Sequence, residues 1–135
     1  MSLGAHAAIR RMAGRTSFHM AVAFLAMGGW ALLANRGHSP ARMLAAAAVQ
    51  GTLSALLTLF LKSAVERLAR RFRGASALWA PPAIAIACSA MLLVAIHALA
   101  GTPEIAGTVA LPLLVSSSYA ALYNLALYRK EQHAP

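Results

Sequence analysis

The stretch LWAPPAIAIACSAMLLVAIHALA, residues 78–100, contains no Asp, Glu, Lys or Arg. A helix of about 20 apolar residues crosses the hydrocarbon core of a bilayer, which is about 30 Å thick. The stretch is therefore predicted to be a transmembrane helix. Three more apolar blocks of similar length lie near 17–35, 42–62 and 104–127. Together the blocks predict an all-α fold, a polytopic membrane four-helix bundle that forms one domain over residues 17–128.

The composition of the whole chain agrees with this fold. Of the 135 residues, 60% are apolar and 11% are charged, whereas about 25% of the residues in an average soluble domain are charged. The net charge of +9 comes from Lys and Arg that cluster at the ends of the apolar blocks, where anionic lipids and the insertion machinery account for them. We therefore expect anionic lipids as partners and no binding of nucleic acid.

Two short connections predict that successive spans are antiparallel neighbours. Residues 36–40, RGHSP, carry the turn residues expected between the first two spans. Between the last two spans, Gly101 is predicted to end a helix in the left-handed conformation. Thr102 is predicted to cap the next helix, with Pro103 in its first turn and Glu104 near its positive end.

The middle connection is a charged run, residues 62–73. Its apolar residues recur at helical spacing: Val65, Leu68, Ala69 and Phe72. This period predicts an amphipathic cytoplasmic extension of helix 2 that lies among lipid headgroups. Glu66 and Arg70, four residues apart, are predicted to form an ion pair on it.

The distribution of Lys and Arg predicts the orientation. Ten of the twelve fall on one side of the predicted membrane: Arg10, Arg11, Arg15, Lys62, Arg67, Arg70, Arg71, Arg73, Arg129 and Lys130. Only Arg36 and Arg42 fall on the other. Under the positive-inside rule both termini are cytoplasmic, with a basic N-terminal segment over 1–16, a tail over 129–135 and the chain in the inner (cytoplasmic) membrane of the cell.

The first span could instead be read as a signal peptide, because arginines precede it. Residues 17–35 are longer than a usual apolar signal region of about 7–15 residues, and no small-x-small cleavage pattern follows. We therefore expect the first span to be retained.

Polar side chains within the spans form a candidate polar stripe, because polar groups are costly in lipid and so mark contacts or ligands. Gln50, Ser54 and Thr58 recur every four residues and share one face of span two. A series of small residues, Ala47, Gly51 and Ala55, lies beside them and predicts close approach of another helix. The stripe is interpreted as contact between helices, with a polar cavity at Gln50 as the alternative.

Span four carries the rest of the stripe: Thr108, Ser116, Tyr119, Tyr123 and Asn124. These residues are interpreted as helix packing, with the tyrosines in the interfacial aromatic belt, and a ligand-facing role is the alternative. Pro112 is predicted to kink this span because it lacks an amide hydrogen. In span three, Trp79 is predicted to anchor the interface, and Pro81 and Pro82 to lie in the first turn, where their missing amides are not needed.

A second candidate site is predicted at the outer face, where topology gathers Arg36, His38, Arg42, His97 and Glu104. Two guanidinium groups with a histidine nearby suit a phosphate or pyrophosphate headgroup. The alternative is that these are solvated loop charges. His97 by itself is interpreted as an interfacial or interhelical hydrogen-bonding group.

Catalysis is not expected from this sequence. Its three acidic residues, Glu66, Glu104 and Glu131, do not make a pair of carboxylates for acid and base. Cys88 is the single cysteine, which excludes a disulfide within the chain and a Cys-x-x-Cys metal site. We predict no catalytic residues, no cofactor and no metal.

The last span and the overall plan resemble GtrA-like proteins. The resemblance rests on GTPEIA at 101–106 and YNLALYRK at 123–130. That family is thought to help move polyprenyl-linked sugars across the inner membrane, and its spans tend to finish with Asn, aromatic and Arg residues, to which Asn124, Tyr128 and Arg129 correspond. Span two ends differently, in LKSA at 61–64, and span one has no acidic residue.

Two functions remain open from the sequence. In the first, the chain is a small transport or flipping component for an anionic lipid-linked substrate. In the second, it is an accessory or structural subunit that docks onto a larger membrane protein complex. Because a chain this small leaves little room for an enclosed pathway, we expect a homo-oligomer or a larger membrane partner.

Overall fold

The computed structural model describes the backbone of residues 3–133 and the side chains of residues 14–133. Four helices follow one another: α1 (Leu3–Ala34), α2 (Pro40–Ala69), α3 (Ser76–Leu99) and α4 (Ile105–Gln132). All four are long and apolar enough to cross a membrane. The prediction of an all-α chain with four apolar helices is confirmed.

Helix α1 begins at Leu3, ahead of the span predicted to start at residue 17. The side chains of Arg10 and Arg11, which enter the charge count, lie outside the described residues.

The helices are antiparallel to their neighbours in sequence, so the bundle has two different ends. We call the end with the connections 35–39 and 100–104 the two-loop end, and the end with the connection 70–75 the one-loop end. α2 and α4 lie at the centre. α1 and α3 each pack on both of them, and α1 does not touch α3 within the described part of the chain.

Two buried apolar clusters join α2, α3 and α4, and α1 adds Ala31 to the buried apolar side chains. One buried cluster consists of Leu53, Leu93 and Val109. The other consists of Leu61, Val65, Ala85 and Ala120. Many large apolar side chains point outward, such as Leu25 and Leu122, as expected for surfaces that face lipid.

Helix α1 packs on α2 through glycines instead. A Cβ atom added to Gly51 would lie 2.9 Å from the carbonyl oxygen of Phe24, and one added to Gly28 would lie 3.0 Å from that of Ala47. Because these distances are too short for ordinary contacts, the two backbones approach at Gly28 and Gly51. The small-residue series predicted on α2 thus serves the close packing expected of it.

The extension of α2 is helical to Ala69, and its apolar side faces the bundle. Val65 is completely buried and packs with Ala85 and Ala120. The predicted pair with Arg70 does not form: the Glu66 carboxylate lies 3.9 Å from the ammonium group of Lys62. The extension therefore adds a further turn of helix packing to the bundle.

The turn between α3 and α4 shows the predicted left-handed glycine, Gly101, with φ of 68°. The amide of Thr102 donates to the carbonyl of His97 at 3.0 Å, and that of Gly101 to Ala98 at 3.2 Å, which is the Schellman arrangement. Thr102 does not cap α4, however, since the helix starts at Ile105 and Glu104 holds the cap position.

Candidate functional site

Asn35 joins α1 to α4 at the two-loop end. Its side chain is completely buried. Nδ2 donates to the Thr108 hydroxyl and to the Ala31 carbonyl, both at 2.8 Å, while Oδ1 accepts from the Glu104 amide at 3.0 Å. Nearby, Nε1 of Trp30 donates to the Gly107 carbonyl at 2.9 Å.

Gln50 joins α2 to α3 in the same half of the bundle. Its Nε2 donates to the Ser54 hydroxyl at 2.8 Å, and its Oε1 lies 2.8 Å from Nε2 of His97. Nδ1 of His97 lies 2.7 Å from the Thr102 hydroxyl. Gln50 and His97 are both 0% exposed, so Gln50 itself makes a contact between helices, and it is not part of the cavity wall described below.

The predicted headgroup cluster is only partly assembled. His38 and Glu104 form a hydrogen bond across the two loops, with Nε2 and Oε1 3.0 Å apart, and this contact is an ion pair when the imidazole is protonated. His97 is enclosed and does not join them. Arg36 and Arg42 are exposed, and their guanidinium groups make no hydrogen bond or ion pair with side chains of the described residues.

Asn124 joins α4 to α3 near the one-loop end, at the two prolines of α3. The prediction that these prolines lie in the first turn of the helix is wrong. α3 begins at Ser76, so Pro81 and Pro82 lie beyond its first turn, and their missing amides leave the carbonyls of Ala77 and Leu78 without helical partners. Nδ2 of Asn124 donates to both carbonyls, at 2.9 and 2.8 Å. The Oδ1 atom of this buried side chain accepts no hydrogen bond from a described residue.

A cavity of about 620 Å³ lies between α1, α2 and α4. It runs from Met27, Ser54 and Pro112 toward the one-loop end. Along α2 it covers residues 54–63, a helical rise of about 14 Å. Exposed side chains such as Val22 and Val115 are part of its wall, so the cavity opens to the side between α1 and α4.

The wall of the cavity is mostly apolar, with polar groups from all three helices. The polar members are Thr16, His19, Ser54, Thr58, Lys62, Ser63, Ser116 and Tyr119. Four of them, from α2 and α4, belong to the predicted polar stripe. The cavity wall does not include the other four residues of the stripe: Gln50, Thr108, Tyr123 and Asn124. Gln50, Thr108 and Asn124 form hydrogen bonds between helices. Tyr123 stacks on Tyr119.

Lys62 is the cation at the one-loop mouth of this cavity. Its nearest acid, Glu66, accepts a hydrogen bond from the Tyr123 hydroxyl at 2.5 Å. The separation of 3.9 Å between Lys62 Nζ and Glu66 Oε1 is too long for a hydrogen bond. Tyr123 in turn stacks on Tyr119, with ring centroids 5.6 Å apart. No described residue accepts a hydrogen bond from the ammonium group, so its donors can serve a ligand.

Thr58 and Ser116 face the cavity, and among the described residues their hydroxyls bond to carbonyls of their own helices. Thr58 donates to the Ser54 carbonyl at 2.8 Å, and Ser116 donates to the Pro112 carbonyl at 2.5 Å. Each hydroxyl oxygen still has lone pairs to accept with, and rotation would free the hydrogen for a ligand.

The sequence did not single out several of these residues. The sequence pattern places Asn35 at the end of the first span, Thr102 in a helix cap and Lys62 among the basic flanks, and it gives His19 no role. A polar residue at the very end of an apolar block is the available signal for Asn35. Nothing in the sequence indicates which helices enclose the space beside Lys62.

Among the described residues no group of His, Cys, Asp and Glu could hold a metal ion. Cys88 is a free, exposed thiol on α3. The chain matches no protein-family model, no curated protein and no solved structure. The resemblance to GtrA-like proteins thus stays a hypothesis, and the cavity is the feature from which function is argued.

Proposed function

We propose that this chain is a small non-catalytic transport or flipping component for an anionic lipid-linked substrate. The observation that carries the proposal is the cavity between α1, α2 and α4, with its apolar wall and cationic mouth. Its volume of about 620 Å³ falls within the range of about 300–1,000 Å³ typical of ligand sites.

The lateral opening suits a lipid. A soluble substrate would need an aqueous entrance, whereas a lipid can enter sideways from the bilayer and leave the remainder of its chain outside. The apolar side chains of α1, such as Ala23, Ala26 and Met27, can pack against the part of the lipid's hydrocarbon chain nearest the headgroup.

The polar groups suit an anionic headgroup at one end of that lipid. Lys62 supplies the charge, and Ser63 and Tyr119 supply hydroxyls beside it. Thr58 and Ser54 continue the polar row toward the middle of the bundle. Such a row offers successive hydrogen bonds to a headgroup that moves along α2, which lowers the cost of taking it through an apolar region.

The distribution of Lys and Arg supports a direction of transport for the substrate. The positive-inside rule assigns the one-loop end, with Lys62, to the cytoplasm. A substrate headgroup would therefore enter from the inner leaflet. Arg36 and Arg42, exposed at the two-loop end, would be available to it on the other side.

Retention of lipid by the purified protein tests the proposal. Native mass spectrometry from nanodiscs should show a long-chain polyprenyl phosphate bound to the wild type and little uncharged polyprenol. Thr58→Phe should fill the cavity and weaken retention at least tenfold. Thr52→Phe is the matched control, because Thr52 is exposed on the same helix and lies outside the cavity.

Lys62→Gln tests the charge separately and should abolish the preference for the phosphate over the polyprenol. Arg70→Gln removes an equal charge from an exposed position outside the cavity and should keep that preference. Equal retention by the wild type and Thr58→Phe would refute the lipid site. Replacing both Arg36 and Arg42 with Gln tests the second contact, and unchanged movement of lipid would eliminate it.

The accessory role is the second candidate, and the position of α3 favours it. α3 lies at one side of the bundle and presents the small residues Ala83, Ala87 and Ala95 outward, which would let another helix approach. A stoichiometric partner retained in mild detergent, together with no lipid in the cavity, would support this role. A homo-oligomer that retains the lipid would support transport.

A further inference from the structure

His97 is a titratable side chain enclosed within the bundle, and the proposed function leaves it unused. It is 0% exposed, yet each of its ring nitrogens has a hydrogen-bonding partner on another segment. Ionisable side chains within transmembrane segments are costly and commonly serve the handling of ions or protons.

The hydrogen bonds around the ring define its neutral form. Because Nε2 of Gln50 donates to Ser54, Oε1 of Gln50 is the atom that faces His97. An amide oxygen can only accept, so Nε2 of His97 carries the hydrogen. Nδ1 then accepts from the Thr102 hydroxyl.

The same partners also fit the charged form. An imidazolium donates from both nitrogens. Gln50 would accept from Nε2 as before, and the Thr102 oxygen would accept from Nδ1 once its hydroxyl had rotated. Adding one proton from water to Nδ1 therefore keeps the hydrogen bonds of His97 to Gln50 and to Thr102. Both N–H groups of the charged ring have an acceptor.

The surroundings connect the ring with both water and the cavity. Thr102 belongs to the α3–α4 turn at the two-loop end and is 7% exposed. On the other side Gln50 leads to Ser54, which lines the cavity. The other ionisable side chains at this end are Arg36, His38, Arg42 and Glu104. None of them forms a hydrogen bond with His97, and Glu104 is bonded to His38.

We propose that His97 is a proton-binding site, loaded from the two-loop end past Thr102 and coupled to the cavity through Gln50 and Ser54. The coupling rests on the proposed function, whereas the proton site does not. An anion that reaches Ser54 would favour the imidazolium, and by linkage the imidazolium would favour the anion. The bundle would then take up a proton with its anionic substrate.

Solid-state NMR of the ring nitrogens tests the proton site in liposomes of phosphatidylcholine and phosphatidylglycerol. The His97 signals are identified by their loss in His97→Gln. We expect a neutral ring with hydrogen on Nε2 at high pH and reversible conversion to imidazolium on acidification. A ring that stays neutral until the helices unfold would overturn the proposal.

Thr102→Val removes the acceptor for Nδ1 and should lower the ratio of charged to neutral ring at a fixed pH at least tenfold. Thr52→Val, at an exposed position of α2, should leave the ratio unchanged. The same ratio in both variants would contradict the proposed role of Thr102.

Adding long-chain polyprenyl phosphate tests the coupling, with retention measured separately by native mass spectrometry. The charged fraction of His97 should rise with the phosphate and stay constant with polyprenol. Retained phosphate without this rise would refute the coupling and leave the lipid site intact. Titration of His97 without any retained phosphate would refute the proposed function and leave the proton site intact.

Discussion

Helices α1 and α3 flank the same central pair, but they are held in different ways. α3 is hydrogen-bonded near both ends, through His97 to α2 and through Asn124 to α4. α1 meets α4 near the two-loop end, at Asn35 and Trp30, and toward the one-loop end the cavity separates them. The comparison shows that buried polar groups hold α3 near both of its ends, whereas those that hold α1 to α4 lie at the two-loop end and the opening lies at the other end.

Asn124→Leu should be the most damaging change to the firmly held side. It would leave the carbonyls of Ala77 and Leu78 without a donor in an apolar interior, which we expect to destabilise the bundle by about 3 kcal/mol. Reversible unfolding in mixed micelles measures this loss. Replacing Pro81 and Pro82 with Ala restores two backbone donors, so in that background the loss should fall by at least half. An undiminished loss would show that Asn124 acts through other contacts.

Gly51→Val should loosen the contact that positions α1. Its side chain would collide with the backbone oxygen of Phe24, and such overpacking costs about 2 kcal/mol. Gly29→Val is the matched control, because nothing lies within 4 Å of a Cβ at Gly29. The same unfolding assay compares the two variants, and equal losses would mean that α1 does not depend on this approach.

Asn35→Ala should release α1 from α4 at the end where they meet. Three hydrogen bonds disappear. Because hydrogen bonds between transmembrane helices contribute little each and the structure relaxes around the smaller side chain, we expect the free energy of unfolding to fall by about 1.5 kcal/mol. A pair of spin labels at exposed positions of α1 and α4 should report a broader distance distribution. An unchanged distribution would indicate that the remaining contacts, such as the Trp30 bond to Gly107, are enough to hold the two helices together.

His38→Gln should have the smallest effect. The pair with Glu104 lies at the surface, with side chains 33% and 55% exposed, and such pairs contribute about 0.5 kcal/mol or less. Unfolding at low and high salt is the measurement. A loss above 1 kcal/mol would show that the two loops are held together mainly by this pair.

The sequence predicted the features that depend on local pattern. Apolar block length predicted four helices, the series of small residues around Gly51 predicted the close approach there, and the position of His97 allowed an interhelical hydrogen bond. The role of Asn124 was not predictable in this way, because the carbonyls it bonds belong to another helix. The cavity escaped prediction for a similar reason: it depends on how far α1 diverges from α4, which no residue spacing specifies.

The bond between Asn124 and the start of α3 also bears on biogenesis. When α3 leaves the ribosome, the carbonyls opposite its two prolines have no donor, and their partner on α4 has not yet been synthesised. The apolar character of α3, which has no Asp, Glu, Lys or Arg over residues 78–100, offsets that cost during insertion. The tight turn at Gly101 then brings α4 alongside. We therefore expect the last two spans to enter the membrane as a hairpin, and a chain truncated before Asn124 to be a preferred substrate for membrane proteases.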